Sequence, residues 1–189
     1  FTATYNESEN IKNFLRSIDK LNLNLDVLII DDNSPDKTWE IIQDYSKGKK
    51  NIKLIIREKK EGLDTAHKFA YDYSVKNNYS LLITLDADLS HDPEKIPDFL
   101  NELKNNPFVI GSRYVQGGKC DMKGLRLFLS YFGNKFIKFI SNINCDEFTT
   151  SYRGFDLNKL KDFHLKNVNS KGYSFFMETI HLIHKKGVL

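Results

Sequence analysis

The chain is poor in residues that staple, stop or anchor a polypeptide: 189 residues include two cysteines, one tryptophan, two methionines and four prolines. Cys120 and Cys145 form neither a CxxC pair nor a dense even framework. This excludes a disulfide scaffold and a thiolate metal site, and it fits a reducing compartment. No uninterrupted apolar run approaches the ~18 to 20 residues that cross a bilayer, and no signal peptide stands out. Charge of one sign is in slight excess only. The 28 Lys and Arg against 25 Asp and Glu leave a formal +3, too mild to call for nucleic acid but suited to a site that handles phosphate.

What is present is one domain's worth of core, 40% hydrophobic residues over positions 1–189. The opening FTATYNE lacks a methionine and reads as the tail of a strand, while HLIHKKGVL stops as a new apolar run begins. The expectation is a single domain truncated at both ends.

Short β-rich runs alternate with longer helix-periodic ones. Strands are expected at Leu25–Asp31, Ile52–Arg57, Ser80–Asp86 and Pro107–Ser112, and helices at Glu7–Lys20, Thr38–Lys47, Thr65–Asn77 and Pro93–Asn105. That alternation predicts an α/β fold built on βαβ units with a mainly parallel sheet. Beyond Gly118 the pattern changes to LRLFLSYFGNKFIKFISNI, where Leu125, Phe128, Phe132, Phe136, Phe139 and Ile143 recur every three or four residues. This amphipathic helix reads as one that packs on the core, with a basic, aromatic-rich helix on a membrane surface as the alternative.

Chemistry concentrates at the ends of the strands. LLITLDADLSHDP runs an apolar strand into Asp86 and Asp88, and LIIDDNSP runs another into Asp31 and Asp32. In an extended chain Asp86 and Asp88 project to the same side and repel, which calls for a cation or for solvent, with Ser90 or Asp92 capping the helix at Pro93. Ligands of open α/β sheets bind beyond the carboxyl ends of the strands, so the two acidic clusters are expected to face one pocket. A phosphatase of the haloacid-dehalogenase type is discounted because its DxD ends the first strand. A response-regulator receiver leaves DADLSH unexplained. A non-catalytic nucleotide-binding module and a metal-dependent transferase remain.

The ordered set TYNESENI, LIIDDNSPDKT, REKKEGLDTAH, LDADLSHDPEKIP, GSRY, TTSYRGFD and KGYSFFMETI resembles the family 2 glycosyltransferases of the GT-A fold, within them the dolichyl or polyprenyl phosphate sugar synthases. The resemblance implies a GT-A, Rossmann-like mixed sheet with helices on both faces. It also implies an inverting enzyme that moves a hexose from a nucleoside diphosphate sugar to a polyprenyl (dolichyl) phosphate. Two alternatives stand beside it: a family 2 enzyme with a sugar hydroxyl acceptor, and the non-catalytic module.

By the same resemblance Ala3, Tyr5, Glu7, Ile30 and Asp32 line the nucleoside side of a donor site, with Ala3 where the family usually has proline. Asp86, Ala87, Arg113, Arg126 and Arg153 meet the donor and its phosphates, and Asp86 and Asp88 hold Mg²⁺ or Mn²⁺. Asp88, Arg113 and Glu178 are the expected catalytic residues, Glu178 and Asp146 being candidate bases for a hydroxyl acceptor. Arg153 is expected either at the donor or in a pair with Glu147 or Asp146. Gly62 and Asp64 match a loop before a helix, and Gly117, Gly118 and Lys119 a loop able to close on the ligands. Expected partners are a nucleotide sugar, a polyprenyl phosphate lipid and the cytosolic face of a membrane, bound peripherally from the cytoplasm, with no nucleic acid.

Overall fold

A computed structural model describes residues 1–115 and 124–187. Among the described residues six strands, β1 (Thr2–Thr4), β2 (Val27–Asp31), β3 (Ile52–Ile56), β4 (Leu81–Thr84), β5 (Phe108–Ile110) and β6 (Arg153–Asp156), carry the ladder bonds. The same residues hold six α-helices, α1 (Ile11–Lys20), α2 (Thr38–Ser46), α3 (Leu63–Lys76), α4 (Ile96–Glu102) and α5 (Gly124–Ser141) between strands and α6 (Tyr173–Lys185) after β6.

Strands β1, β2 and β3 pair in parallel, whereas β6 lies antiparallel between β4 and β5. Phe1 joins the two groups. Its amine donates to Ile83 O at 2.6 Å and its carbonyl accepts from Leu85 N–H at 3.1 Å, the alternating pattern of a parallel bridge. The strand order is therefore β3-β2-β1-β4-β6-β5, with β6 alone reversed. The expected mixed, mainly parallel sheet is present, and the reversed strand is the part that the alternation of runs did not announce.

Period-two alternation along β2 divides the interior into two layers. Val27 and Ile29 face a core with Ile11, Phe14, Leu15 and Ile18 of α1, Ile42 of α2, and Ile96 and Phe99 of α4. Leu28 and Ile30 face the other core, with Ala66, Ala70 and Tyr71 of α3 and Phe175, Phe176, Ile180 and Ile183 of α6. Helices thus cover both faces. At Gly154 the sheet approaches α4 so closely that a Cβ would stand 3.0 Å from Leu103 and 3.1 Å from Phe99, and Phe99 is itself stacked on Tyr152 at 4.3 Å.

The expected helix at Pro93–Asn105 begins as a 3-10 turn, Pro93–Lys95, capped by the Asp92 carboxylate accepting from Glu94 N–H. Its α-helical part runs only over Ile96–Glu102. Another correction concerns the long amphipathic segment. The apolar stripe of α5 faces solvent, with Leu125, Phe128, Phe132, Phe136 and Phe139 exposed, and Ile143, just beyond the helix, is the one member of the series that enters the core.

His67 of α3 is enclosed by Phe1, Phe175 and Phe176, with ring centroids 5.1, 5.9 and 5.2 Å away. Loss of hydration in this aromatic box, aided by the nearby Arg153 charge, lowers its pKa from 6.5 to about 3. The unfolded chain therefore takes up this proton first. The contribution of the neutral ring is complete above pH 6.5 and falls away as pH drops toward about 3. Substituting His67→Phe is expected to flatten that acid limb when urea unfolding is followed across pH; an unchanged slope would rule out His67 as its source.

Candidate functional site

Because five strands share one direction, their carboxyl ends form a single rim, and the start of the reversed β6 meets the same rim. The residues that follow β1, β2, β3, β4 and β5 and precede β6 are therefore neighbours: Tyr5–Glu7, Asp31–Asp32, Arg57, Asp86–His91, Gly111–Arg113 and Glu147–Ser151.

At the β1–β2 end, fully buried Asp31 is a structural knot. Its Oδ2 accepts from Thr4 Oγ1 and from Ser34 Oγ, each at 2.7 Å, and its Oδ1 from Ser34 N–H at 2.8 Å. Ser34, Thr38 and Asp36 in turn accept the main-chain N–H groups of Asn6, Glu7 and Ser8. The loop carrying Tyr5 and Glu7 is thereby fixed against the turn after β2. Tyr5 is partly exposed, with Lys60 Nζ 3.8 Å above its ring. Glu7 accepts from Asn10 Nδ2 at 2.9 Å.

Asp32 is buried and bonded on both oxygens. Arg57 Nε donates to Oδ1, and Glu61 N–H donates to Oδ2 at 3.2 Å. The other arms of Arg57 reach Thr65 Oγ1 at 2.6 Å and Gly62 O at 3.2 Å, which ties the loop after β3 to the start of α3. Arg57 was not singled out in the sequence, although it stands in REKKEGLDTAH. Ala3 and Ile30 are partners in the β1–β2 register. Ile30 is wholly buried in the core, one residue before Asp31. Ala87 is likewise buried, among the α1 and α4 core residues.

The DAD turn does not keep the extended geometry that sets its carboxylates side by side. Leu89 takes a left-handed conformation, φ 63°, and Asp88 Oδ1 accepts from Ser90 N–H at 2.9 Å. Asp86 Oδ1 instead accepts from Ser151 Oγ at 2.7 Å. His91 completes the connection: its Nδ1 accepts from Asp86 N–H at 3.1 Å and lies 3.5 Å from Asp86 Oδ2, while Nε2 faces Thr150 Oγ1 at 3.2 Å. A ring nitrogen that accepts from a backbone N–H carries no proton, so the proton sits on Nε2 and the ring is neutral. Burial lowers the His91 pKa against the opposing pull of Asp86 and Asp88. In the sequence His91 stands within LDADLSHDPEKIP, and Thr150 and Ser151 within TTSYRGFD, none of them with a role.

Arg113 is held by Glu147, whose side chain is completely buried. Its Nε and one terminal nitrogen each lie 3.0 Å from Glu147 Oε2. Thr149 N–H and Oγ1 donate to Oε1. The Arg113 side chain stays about a third exposed, 36%, at the rim. The expected pairing of Arg153 with Glu147 or Asp146 is not found. Glu147 pairs with Arg113, Asp146 pairs with Lys138 at 2.8 Å, and Arg153 is buried with its donors on the carbonyls of Thr150, Phe176 and Phe148. Its role is to hold the main chain, which corrects the expectation of a donor contact.

Glu178 on α6 is also reassigned. Its carboxylate accepts from Asn169 and Ser170 N–H, and hydrogen bonding with the Ser170 side chain first, then with these main-chain groups, lowers its pKa against the effect of burial. It clamps the loop before its own helix. The Arg126 side chain and the Gly117–Gly118 loop with Lys119 lie outside the described residues.

Asp86 and Asp88 offer oxygen donors on one turn, the ligand type that Mg²⁺ and Mn²⁺ take. Among the described residues no group of three or more His, Cys, Asp or Glu could hold a metal by itself. The pair therefore fits an ion that shares its coordination with a bound diphosphate rather than one caged by protein. A cavity of about 450 Å³ lies elsewhere, lined by Val27, Leu28, Leu81 and Leu82 at the opposite, amino ends of β2 and β4. It contains none of these carboxylates.

The model of the family described as Glycosyl transferase family 2 matches residues 1–163. An undecaprenyl-phosphate mannosyltransferase of Micrococcus luteus is 31% identical over 173 residues, 91% of this chain and 71% of that protein. A polyprenol monophosphomannose synthase of Mycolicibacterium smegmatis is 31% identical over 175 residues, 91% of this chain and 66% of that protein. Among solved structures, the Pyrobaculum calidifontis mannosyltransferase PcManGT in complex with GDP-Man and Mn²⁺ superposes with a TM-score of 0.53 at 16% identity. That match covers 85% of this chain and 44% of that one, and at such identity it speaks for the fold.

The Arg57–Asp32 pair is nearly buried, with side chains 10% and 8% exposed. Replacing Arg57→Met leaves the Asp32 carboxylate with the Glu61 N–H alone. The expected cost is about 3–5 kcal/mol in urea unfolding. The double variant Arg57→Met/Asp32→Asn is expected to recover part of it, and additive losses would refute the coupling.

Proposed function

Because the chain belongs to glycosyl transferase family 2, we propose that it transfers a hexose, with inversion, from a nucleoside diphosphate sugar to a polyprenyl (dolichyl) phosphate at the cytosolic face of a membrane. The observation that carries this reading is the convergence on one rim of Asp32, the Asp86–Asp88 turn and Arg113. A donor laid along that rim meets Tyr5 and the Asp32–Arg57 pair at its nucleoside end and the Asp86–Asp88 turn at its diphosphate. Asp88 and Asp86 would hold a divalent cation there, which supplies positive charge to a leaving diphosphate.

Each residue has a separate task in this reading. Ser151 and His91 orient Asp86, so its carboxylate needs no reorganisation when the donor binds. Glu147 orients Arg113, whose planar donors suit a phosphate oxygen. The acceptor oxygen forms the new bond to the anomeric carbon as the bond from that carbon to the diphosphate breaks. The nucleoside diphosphate departs with the electron pair. A phosphate acceptor is already an anion at neutral pH and needs no residue to take its proton.

That last point separates this reading from a hydroxyl acceptor, which requires a base. Glu178 clamps a loop and Asp146 is paired with Lys138. Their engagement favours the phosphate acceptor. The relatives' names and the GDP-Man and Mn²⁺ of PcManGT support a mannose-type donor and a metal, while a non-catalytic module leaves the oriented Arg113 without purpose.

Transfer to a short-chain, water-soluble prenyl phosphate, measured with a panel of nucleotide sugars and Mn²⁺, tests the proposal. Asp88→Asn is expected to lower turnover by about 100-fold or more, whereas Glu178→Gln retains roughly the parent rate. Abolition by Glu178→Gln with Asp88→Asn still active would transfer the case to a hydroxyl acceptor. Donor binding with no transfer or hydrolysis would leave a binding module.

A further inference from the structure

Position 89 holds a residue that neither its backbone nor its packing asks for. Among the described residues seven other than glycine take a positive φ: five are asparagines, one is Lys37, and the last is Leu89 at 63°. Asparagine tolerates the left-handed region because its short polar side chain can bond locally, whereas leucine meets the Cβ penalty with no such return. The turn needs the conformation only. Asp88 Oδ1 accepts from Ser90 N–H across residue 89 at 2.9 Å, and a glycine or an asparagine there would allow it with less strain. The core does not call for the side chain either. Leu89 is 40% exposed, and Asp88 and Ser90 on either side of it are exposed as well. A large apolar group kept in water on a strained backbone points to a contact with something that binds, and strain of this kind collects at ligand sites.

The neighbourhood narrows what binds. Two residues on from Leu89, His91 Nε2 faces Thr150 Oγ1 at 3.2 Å, and Thr149 donates to the Glu147 carboxylate that holds Arg113. The loops after β4 and β5 are thus joined through one short segment, and the Leu89 turn shares its part of the rim with Arg113. Val115, two residues beyond Arg113, is exposed too. A nucleoside diphosphate sugar brings charge and hydroxyl groups to this place, for which a leucine is a poor match. A prenyl phosphate sets hydrocarbon directly beside its phosphate, so a guanidinium for the anion with an apolar side chain next to it suits that molecule.

We propose that Leu89 is an acceptor-specificity residue, whose side chain packs on the first carbons of the hydrocarbon that carries the acceptor phosphate. The proposal rests on the preceding reading for the class of acceptor and deepens it by naming the side chain that tells a prenyl phosphate from a bare phosphate.

Titration calorimetry with geranyl phosphate in the presence of Mn²⁺ tests this without requiring turnover. Leu89→Gly keeps the left-handed turn and removes the side chain. Its thermal midpoint is therefore expected at or above that of the parent, with the same shift on adding nucleotide sugar. Its affinity for geranyl phosphate is expected to fall on the order of 10-fold, and Leu89→Met to recover most of that loss. Inorganic phosphate, the anion without the hydrocarbon, is expected to displace geranyl phosphate from parent and variant with the same inhibition constant. Equal affinity of parent and Leu89→Gly for geranyl phosphate, no binding by the parent, or an equal loss toward inorganic phosphate overturns the proposal. So does loss of the nucleotide-sugar shift in Leu89→Gly, because the leucine would then serve the turn. A parent that binds geranyl phosphate through Leu89 yet transfers no sugar would count against the enzymatic reading alone.

Discussion

The reversal of β6 is the constraint on which the site depends. Five strands running one way would bring only their own carboxyl ends to the rim. Laying β6 antiparallel between β4 and β5 brings its lead-in, Glu147–Ser151, to that rim as well. This segment supplies the partners of the residues that matter there: Glu147 for Arg113, Ser151 for Asp86, Thr150 for His91. Arg153, the first residue of β6, keeps the segment in place. Burial lowers its pKa to about 9, a sign of how unfavourable the location is for a cation. The three carbonyls of Thr150, Phe176 and Phe148 supply the compensating oxygens. A guanidinium can bridge three main-chain oxygens from different directions; a lysine, with its single ammonium centre, does so poorly.

The same constraint sets Asp86 and Asp88 apart in how they are held. Each carboxylate accepts a hydrogen bond of its own, Asp86 from Ser151 across the β4–β6 boundary and Asp88 from the local turn at Ser90. Asp86 is therefore fixed by the tertiary fold, while Asp88 is exposed and fixed only by its own loop. Such a pair is half preorganised. It holds one oxygen donor rigidly and leaves the other able to adjust to a ligand. Ser90, which contributes its main-chain N–H, is engaged in the turn.

Much of this was legible in the sequence because it depends on short-range rules. The period-two runs of β2 and β4 and the Asp92 cap on the turn that leads into α4 are local, and the strand-end acids follow from topology. The features that escaped it depend on distance. Arg153–Asp156 reads poorly as a strand, since it is four residues long, contains a glycine and is buried at every position. It becomes a strand only through neighbours more than 40 residues away in the chain. Arg57 and Arg153 look alike in sequence, each a basic residue beside a β-run. Which one salt-bridges an acid and which one bonds carbonyls is decided by what the fold puts opposite. For α5, periodicity correctly gave a stripe but carries no information about which way the stripe faces.

The orientation of α5 also gives its surface aromatics a mechanical reason to persist. In water, exposed phenylalanines lower solubility and are ordinarily replaced or buried. Here Asn134, Ser130 and Lys138 are engaged on the side away from the stripe and Ile137 packs against the core, so these contacts hold the helix with its aromatic side outward. Those bonds end on the segments that carry Arg113 and Glu147. A partner that binds the outer face therefore acts on the rim through one rigid helix and two short connections.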